Sequence, residues 1–205
     1  MAGVIPVTAQ KHTLRDSVRQ WGDIEGGSQG EPEPIDVPTL VERSVLIARV
    51  LVVDVDSHLT TDEQSVMTDY TVQILDVEYS ARPGVLAGDR VVVSRFNGEI
   101  FLEGRRVLYE IRSFPNFKAG EEYVLFLGSA QFPETEAYRS RYGGLRRFSV
   151  MSDGWGAFEI ANGEARQVFG TDTEGWNGRQ PGSVSMFLED LRTAISQVRE
   201  SRPGQ

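Results

Sequence analysis

The chain has no cysteine and only two histidines, His12 and His58. The first absence excludes disulfide staples, thiolate zinc sites and cysteine nucleophiles. The second leaves little imidazole for acid–base chemistry or metal ligation. Long hydrophobic runs are also missing. Stretches such as VLIARVLVV at 45–53 carry Arg49 and fall well short of the roughly 20 apolar residues that a helix needs to cross a bilayer, so no membrane span is expected. Positive charge is in deficit: 21 Lys and Arg stand against 30 Asp and Glu, for a net charge of −9 and a pI near 4.8. A field of that sign repels phosphate backbones and disfavours nucleic acid as a partner. P-loop and dinucleotide-binding fingerprints are absent as well.

What is present suits a soluble globular protein. The 205 residues, 40% of them hydrophobic, suffice for one domain of ordinary size with tails. Residues 1–35 read as a flexible N-terminal segment and linker, and 36–205 as the domain. The stretch GDIEGGSQGEPEP at 22–34 is nearly devoid of apolar side chains and cannot offset its ordering entropy. Its Gly26-x-Ser28-x-Gly30 matches a hydrolase nucleophile motif only formally, because no strand precedes it and no helix follows. Residues 11–21 suit a short frayed helix. Val7-Thr8-Ala9 after Pro6 resembles a signal-peptidase site without a basic region or a full apolar core in front of it. Two readings stand: a signal-peptide remnant on an extracytoplasmic protein (periplasmic, secreted or envelope-bound), or a plain disordered terminus that leaves a cytoplasmic location open.

The body reads as many short strands. A helical turn or two is expected over 37–44, with Val37, Leu40 and Val41 on one side. The β-branched run VLIARVLVVDVDSH follows as the first strand. TDYTVQILDVEYS at 68–80 alternates, with Tyr70, Val72 and Ile74 on one face and Thr71 and Gln73 on the other. DRVVVSRF, EIFLEG, RRVLYEIR, EEYVLFLGSA, RRFSVM, GAFEIA and ARQVF follow. Asn97-Gly98 and Asn162-Gly163 are tight-turn signals. Strands at this spacing predict a mainly β fold, a barrel or a sandwich. Phe187, Leu188, Leu191, Ile195 and Val198 recur at helical spacing, so a C-terminal amphipathic helix is expected over about 183–200, capping the barrel.

The succession VERSVLIARV, TDYTVQILDVEY, LAGDRVVVSRFNGE and FPNFKAGEEYVLFL resembles a largely uncharacterised bacterial family of exported or cell-envelope domains. The resemblance covers roughly 38–170 and rests on Gly88, Asp89, Val91, Val93, Gly98, Glu99, Phe117, Gly120, Glu121, Leu125, Phe126 and Leu127. Asn97 stands where that family more often has glycine. The resemblance implies an OB-like β-barrel, closed or partly open, shaped like the netrin and tissue-inhibitor modules. It implies no activity, since the shared residues are turn glycines and core apolars. The metal-capturing N-terminal cysteine of netrin-like inhibitors has no counterpart here.

Three stretches are candidates for chemistry. On a strand, Asp54, Asp56 and His58 share a face and form a candidate divalent-metal site, with Asp62 and Glu63 nearby; the plainer reading is the wet face of a half-buried strand. AYRSRYGGLRR at 137–147 interleaves Tyr138 and Tyr142 with Arg139, Arg141, Arg146 and Arg147, a loop suited to stacking on a ligand and gripping an anion. GTDTEGWNG at 170–178 offers Asp172, Glu174 and Asn177 but fails the EF-hand spacing. No catalytic set can be assembled, and no cofactor is expected beyond a divalent metal at the first site. The reading is a non-catalytic binding or interaction module with an unknown protein or cell-envelope ligand. A metal-dependent hydrolase using Asp54, Asp56 and His58 is the first alternative. An oligonucleotide-binding OB protein is the second.

Overall fold

The computed structural model describes residues 12–28, 35–81, 83–111, 116–130, 132, 135–168 and 182–201. The candidate loop 170–178 lies outside them. The protein is mainly β, with a short helix near the N-terminus and a longer one at the C-terminus.

The chain begins with α1 (Leu14–Trp21), started by a capping box in which Thr13 and Asp16 satisfy each other's backbone N–H groups. Then β1 (Ile24–Ser28) pairs in parallel with β6 (Arg105–Ile111), which pairs antiparallel with β5 (Gly98–Leu102). Part of the expected linker is therefore a strand. Its glycines suit close strand contact: a Cβ on Gly27 would land on the Glu110 carbonyl oxygen. Ile24 packs with Val18, Val66, Leu102 and Val107 in a small separate cluster.

Helix α2 (Val37–Arg43) is capped by Asp36, which accepts from Thr39 N at 2.7 Å. The long strands β2 (Leu46–Leu59) and β3 (Val66–Ser80) form an antiparallel pair with three register shifts that coil it. The sheet continues through β4 (Arg90–Phe96), β7 (Glu122–Ser129), β8 (Arg147–Val150), β9 (Ala157–Ala161), β10 (Glu164–Gln167) and β11 (Gly182–Ser183). Its strand order is β11-β10-β9-β7-β2-β3-β4-β8, and β8 also pairs with β7. The β4–β8 pairing is parallel, the β7–β8 pairing antiparallel.

Two cores explain the uninterrupted apolar runs. Leu46, Ala48, Val50 and Val52 point to an inner core shared with Tyr70, Val72, Ile74, Val91, Val93, Leu125, Leu127 and Phe148. Ile47, Val124, Phe126 and Phe158 point the other way, against α2 and α4 (Val184–Glu200). Strands covered on both faces lose the polar half of their alternation. The C-terminal helix buries Phe187, Leu191, Ala194 and Ile195 as its periodicity predicts. It lies on the outer sheet face rather than capping a barrel end.

Two local expectations change. Asn97-Gly98 is not a hairpin turn, because β4 and β5 run into different sheets. Asn97 is buried and its carbonyl accepts from Thr68 Oγ1 at 2.6 Å. Gly98 has φ 125°, and a Cβ there would strike Thr68 Oγ1 and lie 2.6 Å from Ser57 Oγ. The glycine is demanded by a crowded crossing, whereas the β5–β6 turn is made by Glu103 and Gly104 at φ 52° and 80°. Asn162-Gly163 does join β9 to β10, both residues at positive φ. The second change is at 137–147, expected as a loop. Residues Glu136–Tyr142 form α3, capped by Thr135 and ended by left-handed Gly143.

Candidate functional site

Pairing brings the two candidate stretches together. On β2 and β3, Asp56 lies opposite Asp69 and His58 opposite Met67. On β3 and β4, Asp69 lies opposite Ser94. These side chains share the face turned away from the inner core, because Tyr70 and Val72 of β3 point into that core. Helix α3 lies over this face and brings Tyr138, Arg141 and Tyr142 to it. Arg147, the first residue of β8, enters from the side.

Asp69 is the hub. It is 1% exposed. One carboxylate oxygen lies 3.0 Å from His58 Nε2. The other accepts from Ser94 Oγ and, at 3.0 Å, from Arg147 Nη2. Arg147 Nε also donates to Ser94 Oγ at 2.6 Å. The Arg147 guanidinium stacks on Tyr138 at 4.5 Å and Phe132 at 5.3 Å. Tyr138 is fixed by its hydroxyl, which donates to Leu145 O at 3.0 Å, and by its ring, 4.9 Å from that of Tyr142. Nearer the surface, Asp56 accepts from the Tyr142 hydroxyl at 3.0 Å and pairs with Arg141 Nε at 2.6 Å.

Burial pushes the Asp69 carboxyl up, but the hydrogen bonds from His58 and Ser94 and the Arg147 charge outweigh it and hold it at about 2. The Asp69 hydrogen bond raises the His58 imidazolium above its ordinary value against the opposing effect of burial. Burial, the Asp69 charge and the bond to Asp56 raise the Tyr142 phenol. Because His58 is raised, its contribution to stability is complete below the unfolded value near 6.5 and fades as pH climbs through the folded value. Denaturant titrations of the wild type should therefore show unfolding free energy declining with rising pH across the neutral range. His58→Gln should remove that decline. An unchanged slope in the variant would detach it from this imidazole.

Above the hub is a cavity of about 660 Å³, a size usual for small-molecule sites. One wall is the β2–β3 loop, Thr60–Ser65. Another is α3 with Thr135, Ala137, Tyr138, Arg141 and Tyr142. Leu59, Met67, Phe96 and Phe132 supply apolar surface, and His58, Asp69 and Arg147 lie at its base. The loop wall is held from outside by α1: Leu14 N donates to Glu63 O at 2.8 Å, Arg15 pairs with Glu63 at 3.3 Å, and Gln64 Nε2 donates to His12 O at 3.1 Å.

Of the residues expected from sequence, His58, Tyr138, Arg141, Tyr142 and Arg147 line this cavity, and Asp56 braces it from behind. Asp54 is exposed and does not line it; neither do Arg139 and Arg146, and Arg146 donates to Pro83 O at 3.2 Å. The three proposed metal ligands do not converge. His58 Nδ1 faces the Leu59 carbonyl at 2.9 Å and Nε2 faces Asp69, so both nitrogens are used as donors. Among the described residues no three His, Asp or Glu side chains gather to hold a metal ion. Nor does the hub form a nucleophilic triad. The Asp69 carboxylate stands between Ser94 and His58, so the imidazole cannot take the hydroxyl proton.

Asp69, Met67, Ser94, Phe96 and Phe132 were not singled out by sequence. The available signal was alternation: Met67 and Asp69 continue the face of Thr71 and Gln73, and an acid beside a methionine on one strand face is an unusual pairing for a purely wet surface. No protein-family model and no curated protein matches the chain. No helix among the described residues is long and apolar enough to cross a membrane.

Proposed function

We propose that this protein is a non-catalytic binding module, built as an OB-like barrel, whose ligand seat is the cavity between the β2–β3 loop and α3. The observation that carries the reading is that cavity: about 660 Å³, walled by aromatic and apolar side chains, with a charged base whose groups are locked by one another. The barrel reading is supported by the pairings β7-β2-β3-β4-β8 and back to β7, with the β4–β8 contact parallel. In an OB-type barrel the outer face of the second and third strands, with the connections between strands one and two and between four and five, is where ligands are held. Here those connections are the β2–β3 loop and the segment carrying α3. The family resemblance gains support from its own motif residues. Gly88 and Gly120 take φ of 94° and 86° at turns, and Phe117, Leu125 and Leu127 lie in the inner core. An extracytoplasmic location is proposed on that resemblance alone. The non-catalytic reading is argued from His58, whose two nitrogens are both engaged, leaving no free imidazole in the cavity.

Methyl-detected NMR with a neutral probe, 4-phenylbutan-1-ol, tests the reading. Saturable shifts are expected at Leu59 and Met67. Ala137→Trp, on an exposed residue of the wall, fills the cavity and should weaken the probe by about tenfold or more, an effect near 1.4 kcal/mol. Its thermal melt should stay close to that of the wild type, since the surface change costs about 0.5 kcal/mol or less. Methyl resonances that do not move at millimolar probe would sink the proposal.

A further inference from the structure

The polar groups of the cavity wall are unequally committed. Asp69 already accepts from His58, Ser94 and Arg147. Asp62, the other carboxylate of the wall, accepts from Thr60 Oγ1 at 2.7 Å and Gln64 N at 3.2 Å. Arg147 spends its donors on Ser94, Met67 and Asp69. Arg141 is different. Its Nε is paired with Asp56, its side chain is 48% exposed at the cavity, and its two Nη groups make no hydrogen bond among the described residues. A guanidinium with only Nε engaged retains four N–H donors in a fixed plane, and that edge matches a carboxylate in a two-point contact. Asp56 also fixes the plane, so less side-chain freedom is lost when an anion arrives.

The lining therefore has unspent cationic donors at its edge and an apolar interior of Leu59, Met67, Phe96, Phe132 and Ala137. Resting on the reading of the cavity as a binding seat, we infer that its ligand class is a small amphipathic carboxylate, with an aromatic or aliphatic body among those side chains and its carboxylate on the Arg141 Nη edge. A ligand amine brings a second positive charge against the Arg141 edge. A neutral ligand gains the apolar contacts and leaves the Arg141 donors to water. Arg139 provides an internal control, as it carries the same charge on the same helix and does not line the cavity.

Isothermal titration of the full chain with 4-phenylbutyrate, 4-phenylbutan-1-ol and 4-phenylbutan-1-amine at pH 7.5 separates these cases. The carboxylate should bind about tenfold or more tightly than the alcohol, since it alone makes charge-assisted hydrogen bonds to Arg141. The amine should bind most weakly. Arg141→Gln should bring the carboxylate down to the alcohol while leaving the alcohol unchanged, which also shows that the cavity is intact. Arg139→Gln should preserve the preference. Equal binding of carboxylate and alcohol, or loss of the preference in Arg139→Gln as well, overturns the ligand class and leaves the binding seat standing. Binding of none of the three overturns both.

Discussion

Asp69→Ala should lower the unfolding free energy by about 3–5 kcal/mol, the usual cost of removing one partner from a buried ion pair. The reason is the group left behind. Arg147 is 5% exposed and cannot lose its proton, so its buried charge loses the carboxylate it pairs with. The Ser94 hydroxyl loses its acceptor in the same step, and His58 loses the contact that raises it. For a chain of this length, each kcal/mol moves the midpoint of thermal unfolding by about 2–4 °C, so a fall of roughly 6–20 °C is expected by calorimetry. A compensating change should recover most of the loss. Asp69→Leu combined with Arg147→Met removes both charges and refills the space, and buried pairs replaced in this way are commonly neutral or better. If the single and double variants were equally unstable, the effect would lie in packing and not in an orphaned charge.

Phe158→Ala should cost a similar amount, about 3–5 kcal/mol, by a different route. Phe158 is fully buried on the outer face of β9, its ring 5.8 Å from that of Phe126 and 4.7 Å from that of Phe187. It joins sheet to helix, and the space it vacates cannot be filled by Phe126 or Phe187 without unseating one of them. The loss should appear as a lower denaturant midpoint and as faster amide exchange along α4, with the strands of the inner core much less affected. Uniform acceleration across both cores would mean that the two layers unfold as one unit.

The strands and the C-terminal helix were legible because period is a local property. Tyr70, Val72 and Ile74 alternate into the inner core, and Phe187, Leu191 and Ile195 recur at helical spacing. Local signals failed where a distant element decided the outcome. Asn97-Gly98 looks like a turn, yet its glycine answers to Ser57 and Thr68 on other strands. Ile24–Ser28 looks like a linker, yet β6 supplies its hydrogen-bond partners. Asp56 and His58 looked like one site and Tyr138, Arg141, Tyr142 and Arg147 like another. Only the folding of α3 over β2, β3 and β4 joins them. Asp69 was invisible as a hub because its three partners lie 11, 25 and 78 residues away.

The hold of α1 on Glu63 and Gln64 makes two distant parts of the chain answer to a single equilibrium. Docking of the N-terminal helix and ordering of the Thr60–Ser65 wall share the same hydrogen bonds and ion pair. Whatever stiffens the wall from inside the cavity also tightens the helix, and whatever peels the helix away weakens what the wall can hold. Linkage requires the two effects to be equal in free energy. Helix α1 is in that sense a handle on the cavity, reached without altering a residue that lines it.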